Sequence, residues 1–123
     1  MEIYSARMIE KPWGHEEIFA ETAHYVGKIL FIRAGEALSL QYHEIKEETL
    51  RVLEGTLELM SGEDVEHLES QLLEAGAVFH IAPGTLHRMV GATDCRLLEV
   101  STNHLDDVVR LEDRYGREGT DSP

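Results

Sequence analysis

Hydrophobic positions along this chain fall in short runs that break at glycine or proline. Residues 15–20 and 25–33 are rich in Ile, Val and Phe, and 38–43 follow the break at Ala34-Gly35. Residues 49–53 and 56–60 flank Gly55, residues 78–82 and 87–90 flank Pro83-Gly84, and Cys95 to Ser101 is a further apolar run. Runs of this length, punctuated this way, predict an antiparallel sandwich or barrel. Two stretches depart from the pattern. Residues 67–74 read equally as helix or strand, while 105–115 carry Leu105, Val108, Val109 and Leu111 and predict a short helix packed on the barrel. The small polar residues 118–123 are expected to fray.

The chain is 123 residues long, which suits one domain; no linker or internal repeat divides it. Its formal net charge is −13, which opposes binding to nucleic acid or to an anionic membrane surface. An anionic small molecule would have to be held by some of the 11 Lys and Arg residues. No apolar run approaches the ~18 residues of a membrane span. The start, Met-Glu-Ile-Tyr-Ser, lacks a basic segment followed by an apolar one, so no signal peptide is expected. The lone Cys95 excludes an intrachain disulfide, in keeping with a cytoplasmic location, and reads as a small core filler.

Candidate chemistry gathers in two segments. Gln41 and His43 are two positions apart, so on a strand both side chains leave the same face. Glu48 opens the next strand after the turn at 44–47, and His87 follows the Pro83-Gly84 turn. Two imidazoles, a carboxylate and a carboxamide make a mixed nitrogen and oxygen donor set, which leaves zinc, iron, manganese, cobalt and nickel open. The alternative is a polar cluster satisfied by its own hydrogen bonds. His80 reads either as a general base beside the metal or as a strand histidine facing elsewhere, because periodicity does not fix its face. Lys28, Lys46, Arg88, Arg110 and Arg117 are candidate anion contacts, each also readable as a surface charge.

The spacing Gly35, five residues, Gln41, His43, Glu48, six residues, Gly55, with the later His87, resembles the two motifs of the cupin superfamily. Gln41 stands where most cupins have His. Ser39-Leu40-Gln41-Tyr42-His43, Lys11-Pro12-Trp13-Gly14 and Lys28-Ile29-Leu30 are similar to segments of the C-terminal cupin domain of type II mannose-6-phosphate isomerases. So are Pro83 to Arg88, Leu98-Glu99-Val100 and Val109 to Arg117. The turn Glu44-Ile45-Lys46-Glu47 departs from the His- and Arg-rich turn usual in that family, keeping only Lys46 as its basic position.

The resemblance implies an all-β, single-domain cupin over residues 1–117, an antiparallel jelly-roll barrel with a short C-terminal helical segment, and a homodimer. It implies one divalent transition metal on Gln41, His43, Glu48 and His87. It further implies aldose–ketose isomerisation of a sugar phosphate, the ion acting as Lewis acid on an enediolate. Glu99, taken to face inward, and His80 are the expected acid/base residues, and Lys46, Arg88 and Lys28 the expected substrate contacts. Two alternatives stay open: a sugar- or metabolite-binding metallocupin without catalysis, and an iron-dependent dioxygenase using His43, Glu48 and His87. No nucleotide-binding glycine loop is present in this sequence.

Overall fold

Residue-by-residue alternation of burial shows how the strands are used. In the segment Glu48–Glu54, Glu48, Leu50 and Val52 point inward and the residues between them outward. The structure, a computed structural model, describes residues 1–120. In chain order its strands are β1 (Arg7–Lys11), β2 (Gly14–Glu21), β3 (Val26–Ile32), β4 (Leu40–Tyr42), β5 (Glu48–Glu54) and β6 (Thr56–Gly62). They continue with β7 (Leu68–Glu74), β8 (Val78–Ile81), β9 (Leu86–Gly91), β10 (Cys95–Ser101), β11 (Val109–Glu112) and β12 (Gly119–Thr120). All pair antiparallel, in two sheets of order β1-β2-β3-β10-β5-β8 and β12-β11-β4-β9-β6-β7.

The sheets face each other across one apolar cluster. Leu30, Ile32, Leu50, Val52 and Leu97 come from the first sheet, Leu57 and Met89 from the second, and Trp13 and Leu38 from the connections. Cys95 lies in the same cluster, and burial pushes its thiol up to about 11, as suits a core filler. Further along the same strands the inward face changes character. After Leu97 comes Glu99, before Leu30 comes Lys28, and before Leu50 comes Glu48, all buried. The ladder sets Glu99 opposite Lys28. One end of the sandwich is therefore dry and the other charged.

The expected all-β class and sandwich are present, and 67–74 resolves as strand β7. The short helix expected over 105–115 does not form. Turns around Leu105 and Asp106 lead instead into β11, which pairs with β4. The physical reason is that Val108 and Arg110 are buried while Leu111 is exposed, a strand alternation in which one inward position is charged. Of the tail expected to fray, Gly119–Thr120 pair with β11, and 121–123 lie outside the described residues. Among the described residues, no helix is long and apolar enough to cross a membrane.

Gly55 makes the β5–β6 turn with φ +78°, and a Cβ there would sit 2.1 Å from the Asp94 carbonyl oxygen. Both the backbone conformation and the close approach exclude a side chain. Gly55→Ala is expected to destabilise by more than about 1 kcal/mol. Urea unfolding measures it, and an unchanged midpoint would show that the turn relaxes freely.

Candidate metal centre

Two imidazoles converge on one carboxylate at the charged end. His43 follows β4, Glu48 opens β5 and His87 lies on β9, and together they form a buried group of potential metal ligands. His43 Nε2 is 3.8 Å from Glu48 Oε2, and His87 Nε2 is 3.7 Å from Glu48 Oε1. The donor atoms of all three lie within 4.8 Å of one another. Each ring is fixed from behind. His43 Nδ1 is 2.5 Å from the Asp107 carbonyl, and His87 Nδ1 is 2.9 Å from the Thr85 carbonyl. A carbonyl can only accept, so each Nδ1 carries the proton and each Nε2 presents its lone pair toward Glu48. Burial holds both imidazoles below their usual range, hence neutral. His87 is fully buried and its Nε2 has no hydrogen-bond partner. An orphaned lone pair is costly unless an electrophile occupies the space it faces. The donor set thus fits a divalent cation.

Gln41 belongs to the same wall. It lies opposite His87 in the ladder, and its Oε1 accepts from Ser39 Oγ at 3.2 Å. Lys46 crosses the site, with Nζ 2.9 Å from Glu48 Oε2 and 3.3 Å from Glu99 Oε2. Burial opposes the Lys46 charge, yet Glu99 and Glu48 raise its pKa above the ordinary value. For Glu48, burial works upward, but Lys46 and the two histidines bring the carboxyl below its ordinary range. For Glu99, burial and the neighbouring Glu48 push the carboxyl up against the pull of Lys46 and Lys28. Two carboxyls in one site are thus driven in opposite directions.

These groups surround a cavity of about 50 Å³ that also receives Lys11, Glu16, Lys28, Arg110 and Arg117. Lys28 Nζ pairs with Glu16 Oε1 at 3.3 Å. Of the expected residues, Gln41, His43, Glu48, Glu99, Lys46 and Lys28 line the cavity, and His87 closes the ligand group behind it. The structure does not bring His80 or Arg88 to it. His80 is exposed on the outer face of β8 and bonds Glu47 Oε2 at 2.6 Å, because its neighbour Ile81 takes the inward position. Arg88 alternates outward from His87 and donates to the carbonyls of Leu38 and Glu112.

Sequence reasoning passed over Asp107. Its carboxylate accepts the backbone N–H groups of Glu44, Ile45 and Lys46 at 3.0, 2.7 and 2.8 Å, shaping the turn that delivers Lys46. Nothing local marks it, since its partners lie some sixty residues away. Lys11 was visible only as part of a resemblance and Glu16 was passed over, because no spacing rule connects either to His43.

Residues 2–113 match the family described as mannose-6-phosphate isomerase C-terminal. Xanthan biosynthesis protein XanB of Xanthomonas campestris is 33% identical over 116 residues, covering 90% of this chain and 24% of that protein. Mannose-1-phosphate guanylyltransferase 2 of Escherichia coli O157:H7 is 29% identical, covering 95% of this chain and 24% of that protein. The chain therefore spans about a quarter of the length of these relatives. Among solved structures, the capsular polysaccharide assembling protein CapF from Staphylococcus aureus superposes with TM-score 0.76 at 19% identity, covering 89% of this chain and 35% of that one. A sugar phosphate isomerase from a cupin superfamily, from Silicibacter pomeroyi, superposes with TM-score 0.65 at 17% identity, covering 78% and 64%. The structural likenesses establish the cupin fold.

Metal content measured after purification from medium supplemented with divalent ions is expected to be one ion per chain. His43→Ala with His87→Ala should remove it while the far-ultraviolet circular dichroism spectrum keeps its β signature. Stoichiometric metal in the folded double variant would show that these imidazoles are not the ligands.

Proposed function

The chain belongs to the mannose-6-phosphate isomerase C-terminal family, and on that premise we propose that it is a metal-dependent aldose–ketose isomerase of a sugar phosphate. The observation that carries this reading is the placement of a buried ligand group and a buried carboxyl of raised pKa, Glu99, on one cavity. His43, Glu48 and His87 hold the ion, with Gln41 as fourth donor, and zinc, manganese, iron, cobalt and nickel all suit that set. When bound, a divalent ion supplies Lewis-acid polarisation of a carbonyl and its neighbouring hydroxyl. Glu99 takes the proton from C2 of the aldose and returns it to C1, with the hydroxyl proton passing from O2 to O1, so that aldose and ketose differ only in hydrogen position. Lys46 holds the Glu48 and Glu99 carboxylates in register, and the Glu16–Lys28 pair lines the wall beside Glu99.

A homodimer is part of the same reading. It is supported by the outward face of the first sheet, where Met8, Phe19, Leu53, Val78 and Val100 are exposed.

Incubation of metal-loaded protein with mannose 6-phosphate is expected to give fructose 6-phosphate. Absence of product with each of several divalent ions would end the isomerase reading. Glu99→Gln should lower kcat by about a hundredfold or more with metal content unchanged; undiminished kcat would assign the proton transfer elsewhere. Light scattering behind a sizing column should report twice the chain mass at micromolar concentration, and a monomer there would remove the dimer.

A further inference from the structure

A metal centre holds its ion by charge as well as by donor atoms. Of the four expected donors, Gln41 is neutral and burial keeps His43 and His87 neutral, so Glu48 alone brings a charge. That charge is already shared. Lys46 Nζ stands 2.9 Å from Glu48 Oε2, the same oxygen that faces His43 Nε2 at 3.8 Å. The ammonium therefore lies at the edge of the ligand group itself. Its other partner, Glu99 Oε2 at 3.3 Å, is outside that group.

The ammonium is held in place. Lys46 is buried, and its backbone N–H, with those of Glu44 and Ile45, is bound by the Asp107 carboxylate. A divalent ion on His43, Glu48 and His87 must then share Glu48 with Lys46. Two cations on one carboxylate repel. At an effective dielectric of ~20, a unit charge a few ångströms from a divalent ion changes its affinity by more than tenfold. This repulsion depends on the charge of the ion and not on its identity, so it weakens every divalent ion alike. What differs between ions is the gain from two imidazole donors. That gain is large for zinc, cobalt and nickel, smaller for manganese, and least for magnesium and calcium, which depend on charged oxygen.

We propose that Lys46 is the specificity-determining residue of the metal centre: its ammonium offsets the charge of Glu48, lowers the affinity for all divalent ions by one common factor, and so leaves bound only those that imidazole nitrogen holds strongly. The proposal rests on the metal centre and not on the isomerase reaction. It also fixes what happens when the ammonium is removed. A buried carboxylate without a partner is costly, so the metal-free protein loses stability. An ion on Glu48 supplies the missing positive charge, so the same substitution tightens metal binding. A lysine that served only to shape the site would have the opposite effect, because its loss would disorder the donors and weaken the ion.

The test is competitive calorimetry with zinc, manganese and magnesium on chelator-treated wild type, Lys46→Met, Lys46→Arg and the double variant Lys46→Met with Glu99→Gln. Circular dichroism follows folding with and without zinc. Wild type should bind zinc and manganese and not magnesium. Lys46→Met should bind zinc and manganese at least tenfold more tightly, by similar factors, and should gain measurable magnesium binding. Lys46→Arg, which keeps the charge, should stay near wild type. The double variant removes a second buried charge and should show the same gain with less loss of stability. Folding of Lys46→Met only in the presence of zinc also upholds the proposal, since the ion then replaces the ammonium. Unchanged or weaker affinity in the folded variants overturns it, and so does a rise confined to one ion, which would mark repacked donors. A common rise for zinc and manganese without any magnesium binding removes the specificity role. Failure of both methionine variants to fold even with zinc overturns the proposal as well. A wild type that holds no ion removes the metal centre and the proposal with it, whereas turnover plays no part in any of these outcomes.

Discussion

Charge cannot be buried singly, and the interior of this sandwich holds it as an alternating series. Glu16 pairs with Lys28, Lys28 acts on Glu99, Glu99 pairs with Lys46, and Lys46 pairs with Glu48, which receives the two imidazoles. Each member is tolerable because its neighbours offset the loss of water, and removal of one leaves the next uncompensated, at roughly 3–5 kcal/mol. The series also sets the two carboxyls apart. Glu48, beside Lys46 and the histidines, is driven down and suits a ligand; Glu99, equally buried and beside Glu48, is driven up and suits proton transfer.

The rest of the fold keeps that series in place without taking part in it. Leu30, Ile32, Leu50, Val52 and Leu97 pack the dry end on the same strands that carry Lys28, Glu48 and Glu99. Register fixes the charged groups because a slip by one residue would turn the apolar set outward as well. Hydrophobic burial therefore supplies the positional accuracy that polar groups alone would lack, since long charged side chains have many rotamers and a core has few.

Much of this was legible in the sequence where the signal is local. Glycine and proline breaks marked β2, β3, β5, β6, β8, β9 and β10 to within about two residues, the usual boundary uncertainty, and the His43-to-Glu48 spacing marked the ligand group that the fold brings together with His87. Failures came where an inward position is charged. Arg110 hides the period-two pattern of β11, so Leu105 to Leu111 imitated a helix. His80 is ambiguous because only its ladder partner Thr49 and neighbour Ile81 reveal which face it takes. Asp107 is silent in sequence because what it contacts is distant along the chain.

One contact constrains the order in which the centre is assembled. His43 receives its orientation from the Asp107 carbonyl, 64 positions downstream. The segment that carries His43 and Glu48 does not itself contain the group that orients His43, which arrives only when the stretch around Asp107 docks beside β4. Until then the His43 ring is free to rotate and to interchange its tautomers, and the donors form no fixed geometry. The donor spacing is thus a property of the finished sandwich and not of the segment that carries His43 and Glu48.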